Sequence, residues 1–161
     1  MTDAPTGSRL ISATDLNTVL QSDNEVALLD AREELSFGQA HILYASCMPP
    51  SRLEVLAPAM VPRRSARIVV CDAGEGYAER AAERLLHFGY ADVSILDGGI
   101  DAWRDAGLEI FSGVNVPSKA FGEFVEVEYE TPSVSADELK EMMDKGENMV
   151  VLDSRPMVEY H

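Results

Sequence analysis

Of the two thiols in this 161-residue sequence, Cys47 and Cys71, only Cys71 is a candidate nucleophile, because it stands next to a loop that could do chemistry. Cys71 closes the run Ile68-Val69-Val70-Cys71 and stands directly before Asp72-Ala73-Gly74-Glu75-Gly76-Tyr77. A short, β-branched apolar run of this kind suits a strand buried on both faces of a sheet. Residues 72–76 read as a glycine-punctuated loop. Tyr77 opens a helix that places Ala81, Leu85 and Phe88 on one face. A strand feeding a tight loop and then a helix leaves backbone N–H groups pointing into the loop, where they can cradle an anion or a charged sulfur species. What stands at the loop's first position therefore decides the chemistry, and that residue is Asp72.

The other polar residues fit quieter roles. Asp30 and Arg32 follow the run Val26-Ala27-Leu28-Leu29, which places them at the carboxyl edge of a parallel sheet, where α/β folds hold their sites. They are expected to act as a structural pair that fixes neighbouring loops. Cys47, just before Met48-Pro49-Pro50, reads as a packed strand residue, His41 as a turn or packing residue, and Trp103 as the anchor of its helix. The three histidines (41, 87 and 161) have no metal-ligand spacing with the cysteines, so no metal site is expected. Gly74-Glu75-Gly76 is not followed by the lysine a phosphate loop needs, and no cofactor is expected.

The elements that must position the loop alternate along the chain. Strands are predicted at Arg9–Ile11, Val26–Leu29, Tyr44–Met48, Ile68–Cys71 and Val93–Leu96. Between them fall a helix capped at Ser12 with Leu16, Val19 and Leu20 inward, and a short helical turn from Phe37 to His41. A helix capped at Ser51 follows, with Leu53, Leu56 and Met60 inward, then the central helix from Tyr77. A last short helix, Ile100 to Ala106, is closed by Gly107. This order predicts an α/β fold, a five-stranded parallel sheet flanked by helices on both faces. Residues 1–8 read as a disordered leader and 9–111 as the domain. Residues 112–132 read as a linker, extended to Pro117 and then amphipathic through Phe121, Phe124 and Val125.

Composition narrows the partners. Thirteen basic residues against 28 acidic ones give a formal charge of −15, which argues against nucleic acid and anionic membrane surfaces. No apolar run is long enough to span a bilayer, the N-terminus lacks a signal pattern, and two cysteines are too few for a disulfide scaffold. A cytoplasmic location is expected.

Past the linker the chain begins to repeat itself. Ser135-Ala136 matches Ser12-Ala13, Leu139 matches Leu16, and Val151-Leu152-Asp153-Ser154-Arg155 matches Leu28-Leu29-Asp30-Ala31-Arg32; Tyr160 matches Phe37. Every pair is separated by one constant offset without a gap. Residues 133–161 therefore read as the start of a second copy, cut after about a quarter of the unit. Met149–Leu152, a core strand without a sheet of its own, is expected to be poorly ordered or to find a partner, including a second copy of the chain.

Asp30-x-Arg32-Glu33, Phe37, His41-Ile42, Ala81-Ala82, Gly89-Tyr90 and Leu96-Asp97-Gly98-Gly99-Ile100-Asp101-Ala102-Trp103 together resemble the rhodanese family of thiosulfate sulfurtransferases over about residues 9–111. The repeat and the linker Gly113-Val-Asn-Val-Pro-Ser-Lys-Ala-Phe-Gly-Glu-Phe-Val-Glu126 resemble bacterial proteins built from tandem rhodanese units. The resemblance implies transfer of a sulfane sulfur through a persulfide on a cysteine at the start of the loop. Counting back from Ala81-Ala82, that position falls on Asp72, the usual glycine on Glu75, the usual arginine on Tyr77 and the usual serine or threonine on Ala78. Cys71 falls one place early.

The resemblance thus implies a domain that keeps the scaffold and lacks the nucleophile, with the working cysteine in another unit. Small sulfur donors and acceptors and other rhodanese units would be the partners of the full protein. Two alternatives stand beside this reading. In one, Cys71 acts through a rearranged loop; related phosphatases have a longer loop, but theirs ends in arginine where this chain has Tyr77. In the other, the loop is a binding module that takes a cation or a basic peptide through Asp72 and Glu75.

Overall fold

The computed structural model describes residues 8–113 and 116–153, the side chains of Pro117 and Glu123 apart. These fall into two compact units, 8–121 and 122–153. The expected leader, all but Ser8, and the matches at Arg155 and Tyr160 lie outside the described residues.

In the first unit, five strands form one parallel sheet: β1 (Arg9–Ile11), β2 (Ala27–Asp30), β3 (Ser46–Cys47), β4 (Arg67–Cys71) and β5 (Asp92–Leu96), in the order β1-β5-β4-β2-β3. The β-branched run of β4 lies at the centre, where both faces are covered; Ile68, Val69, Val70 and Cys71 are all fully buried. Alternation along the strand sends Ile68 and Val70 to one core layer and Val69 and Cys71 to the other. Helices α3 (Leu53–Met60) and α4 (Tyr77–His87) cover the first layer, and α1 (Ala13–Leu20) and α5 (Gly99–Asp105) the second. The fold class predicted from the alternating elements is the one observed.

Several local expectations need correction. The short helical turn expected at 37–41 lies three residues earlier, as the helix α2 (Glu34–Gln39), which His41 leaves to form an antiparallel bridge with Phe111. The strand expected at 44–48 pairs only at Ser46 and Cys47. Ser51 does not cap α3; its hydroxyl donates to Glu33 across the chain, and Arg52 holds the cap position. Met60 is exposed because the chain bends at Val61, which takes the buried place instead. Phe88 also turns outward. Helix α4 ends there, and Tyr90 fills the core with its hydroxyl donating to the carbonyls of Ala57 and Val61.

The extended linker predicted up to Pro117 gives way to helix α6 (Val116–Tyr129), on which Phe121 and Phe124 are exposed and Val125 is half-buried. The second unit contains α7 (Ala136–Asp144), opened by a reciprocal capping box between Ser135 and Glu138. Its N-cap backbone (φ −71°, ψ 163°) repeats that of Ser12 (φ −72°, ψ 159°). Residues 149–152 carry no β-ladder, and Val150, Val151 and Leu152 are exposed.

Candidate functional site

The loop after β4 is built around the carboxylate of Asp72. Asp72 Oδ1 accepts the N–H of Gly74 at 2.9 Å, and Oδ2 accepts those of Tyr77 at 2.8 Å and Ala78 at 3.0 Å. Two of these donors belong to the first turn of α4, whose free N–H groups and dipole favour a negative charge. The cradle is thus occupied by a side chain of its own chain. Gly74 (φ +91°) and Gly76 (φ +80°) supply the left-handed backbone that curls the loop around it. Asp72 is only 5% exposed, and its backbone carbonyl accepts the N–H of Ile100 at 2.9 Å, tying the loop to the start of α5.

Glu75 repeats the device at the rim. Its Oε2 accepts the N–H of Ala73 at 2.7 Å. Above the loop opens a cavity of about 500 Å³ lined by residues 72–76, Leu96-Asp97-Gly98-Gly99 and others. The charged side chains on its walls are Asp72, Glu75, Glu79, Asp97 and Asp101. Five carboxylates around one opening repel an anionic donor and raise the cost of a thiolate within it.

Cys71 lies behind this loop. Its side chain is fully buried in the layer of Leu16, Val69, Ile100 and Trp103. Burial, and after it the charge of Asp30, pushes the thiol pKa well above its usual value, while Asp72 adds to the rise. A persulfide-forming cysteine needs the opposite, a thiolate favoured by its surroundings and open to solvent. Cys47 is half-buried, donates to the Arg32 carbonyl at 3.4 Å, and is pushed up to about 11, again first by burial and then by Asp30. Among the described residues, the structure does not bring the two thiols together with a base. His41 is buried, stacks on Phe37 with ring centroids 4.2 Å apart, and holds the Phe37 carbonyl at 2.9 Å through Nδ1.

Asp30 and Arg32 form a buried two-pronged ion pair: Arg32 Nε donates to Asp30 Oδ1 at 2.9 Å and Nη2 to Oδ2 at 2.7 Å. The Arg32 backbone N–H donates to the same Oδ1, and Nη2 also reaches the Ala40 carbonyl. The pair thereby joins the end of β2 to the segment after α2. Burial alone lowers the Arg32 pKa, but the bond and charge of Asp30 outweigh it, so the guanidinium stays firmly charged. Trp103 anchors α5 in the core and donates from Nε1 to the Glu109 carbonyl at 3.0 Å. Among the described residues no cluster of His, Cys, Asp or Glu could hold a metal ion, and no helix is long and apolar enough to cross a membrane.

Sequence reasoning missed Gly99 as a site residue. A Cβ placed there would stand 2.3 Å from the Asp72 carbonyl oxygen, so only glycine lets the β5–α5 turn close on the cradle. The Gly98-Gly99 pair after β5 was the available signal.

A five-stranded parallel sheet with a helix-capped anion cradle at its carboxyl edge defines a class of α/β domain. The rhodanese-like domain family matches residues 12–106, and the chain belongs to that family. A crystal structure of thiosulfate sulfurtransferase from Pseudomonas aeruginosa is 50% identical with a TM-score of 0.86, covering 94% of this chain and 29% of that one. A rhodanese-related protein from Thermoplasma volcanium is 25% identical with a TM-score of 0.54, over 64% of this chain and 97% of its own. An uncharacterised protein of Synechocystis sp. is 32% identical over 100 residues, 61% of this chain and 54% of that protein. The chain thus spans about half of the Synechocystis relative and under a third of the Pseudomonas one.

Proposed function

We propose that residues 9–111 are a rhodanese-like domain that performs no sulfur transfer itself and serves as a binding or assembly unit of a longer sulfurtransferase. The observation that carries this reading is the Asp72 carboxylate, which accepts three backbone N–H groups in the cradle. In a working rhodanese loop those donors stabilise a cysteine thiolate and its persulfide. Here a fixed negative charge takes their place, and the nearest thiol, Cys71, faces the core. Sulfane transfer from thiosulfate to an acceptor belongs, on this reading, to another unit of a tandem protein, of which residues 133–161 are the start of a second copy after a linker at 112–132. Its partners are small sulfur donors and acceptors and the neighbouring units, and its location is the cytoplasm.

The test is the intact mass of the chain after thiosulfate treatment, together with its cyanide-dependent thiocyanate production. No added sulfur and no thiocyanate are expected. A gain of about 32 Da, one sulfur, that disappears in Cys71→Ser would replace this reading with an active Cys71. Asp72→Cys puts a thiol in the cradle, and Asp72→Cys with Tyr77→Arg adds the missing cation. The double variant is expected to take up sulfur faster than the single one, and the parent chain not at all.

A further inference from the structure

Strand β3 is the outer edge of the sheet: in the order β1-β5-β4-β2-β3, no strand among the described residues pairs with its far side. Met48 donates its N–H to the Asp30 carbonyl at 2.8 Å, and Ser46 and Cys47 lie in register with Leu29 and Asp30. Backbone groups alternate in direction along a parallel ladder. Ser46 and Met48 therefore turn theirs to β2, and Cys47 turns its N–H and C=O away from the sheet. Such an edge is a template for one more strand. The large apolar side chains beside it are uncovered, Tyr44 at 62% and Met60 at 44% exposed.

A cavity opens on each face of this edge. The smaller, of about 280 Å³, lies on the α3 face, with Tyr44, Met60 and Val61 in its wall. The larger, of about 440 Å³, lies on the face of α1 and α5, lined by Phe37, His41, Ala45 and Cys47. Met60 lines both, so the two adjoin around the edge of the strand. His41 Nδ1 must donate to the Phe37 carbonyl, which leaves Nε2 as an acceptor. The acidic residues on the two walls, Glu25 and Glu34, have Arg63 and Arg52 as ion-pair partners. The chain as a whole carries a charge of −15, a field that favours a cationic partner.

We propose that this edge binds an extended, cationic peptide segment of a partner protein, which adds to β3 as a further strand. Its backbone bonds to the N–H and C=O of Cys47. Consecutive side chains of a strand point to opposite faces, so two adjacent residues of the peptide enter the two cavities. One is aliphatic and packs against Tyr44 and Met60. The other carries a hydroxyl that donates to His41 Nε2. A compact ligand would fill one cavity and leave the edge unpaired, and a helix would present its side chains at the wrong spacing. The residues that form the surface lie between Glu25 and Arg63, so it depends neither on the 72–77 loop nor on a further unit.

The probe is the acetylated and amidated peptide Lys-Thr-Leu-Tyr-Thr-Lys, titrated into the 161-residue chain at low salt. Saturable binding is expected, with amide exchange at Cys47 slowed at least about tenfold at saturation. Methylating the peptide nitrogens one at a time removes single donors. Binding is expected to fall about tenfold at every second position and little at the positions between. A scan without that alternation overturns the proposal, as does the absence of saturable binding. Met60→Lys, at an exposed position, is expected to weaken binding at least about tenfold and to leave the urea midpoint of the chain unchanged. A peptide with both lysines replaced by glutamate is expected to bind more weakly, and equal affinity overturns the proposal. If the Cys47 amide becomes protected when the chain alone is concentrated, a second copy fills the edge and the proposal fails. None of these readouts measures sulfur transfer, so they stand apart from the reading of Asp72.

Discussion

Gly99 stands against the backbone of Asp72 so closely that a methyl group at position 99 would lie 2.3 Å from the Asp72 carbonyl oxygen. The next residue, Ile100, donates its N–H to that same oxygen at 2.9 Å. Gly99→Ala therefore meets two penalties, the clash and a left-handed φ of +58°. The variant is expected to lose at least about 2 kcal/mol in urea unfolding, and Ile100 is expected to lose its amide protection. A variant as stable as the parent would show that the β5–α5 turn moves freely away from the cradle.

Asp72 is expected to be a stability residue. Removing its carboxylate in Asp72→Ala leaves the N–H groups of Gly74, Tyr77 and Ala78 without their acceptor. The cost is expected to be about 2–4 kcal/mol, since hydrogen bonds to a charged group exceed neutral ones. Formate added to the variant is expected to raise its melting temperature by reoccupying the cradle, with a smaller effect on the parent.

The buried pair of Asp30 and Arg32 gives a sharper asymmetry. Asp30→Ala leaves the Arg32 guanidinium charged and buried, and is expected to cost about 3–5 kcal/mol in chemical denaturation. Arg32→Lys keeps the charge but cannot reproduce the two-pronged geometry, so it too is expected to destabilise, by less. A neutral outcome for both would mean that the segment from 31 to 40 holds its shape without them.

The two thiols make stability fall at alkaline pH. Both have pKa values raised above the usual 9.0, Cys47 to about 11, and Cys71 upward chiefly through burial. The fold therefore favours the protonated thiols. Their contribution is whole below the unfolded value and is lost as pH rises through the folded value. In Cys71→Ala, alkylation of Cys47 is expected to quicken about tenfold per pH unit from pH 8 to 10 and to level off near 11. A plateau at pH 9 would place the Cys47 thiol in water.

Strands with apolar runs and short glycine turns were readable from sequence because their signals are local. The β4 run, its loop and α4 appear where the pattern put them, and Asp30 and Arg32, read from sequence as polar residues at the sheet's carboxyl edge, lie at the end of β2 and bond to each other. The errors arose where a distant partner decided the outcome. Ser51 had the chemistry of a cap, but Glu33, eighteen positions earlier, takes its hydroxyl. Phe88 continued the apolar stripe of α4, but the helix stops and Tyr90 reaches the core through two carbonyls of the α3 region. At the cradle, the loop's composition announced an anion site, whereas the closure by Gly99 depends on how β5 lies beside β4 in space.

The bridge between His41 and Phe111 also sets how the domain responds to a pull. Its two backbone bonds, each 2.8 Å, and the bond from Gly113 to the Gly38 carbonyl at 2.7 Å form a clip where the chain leaves the sheet. Tension applied beyond Gly113 reaches this clip first and peels its bonds one after another. Each small rupture releases slack, so this clip is expected to yield before Trp103 is drawn out of the core.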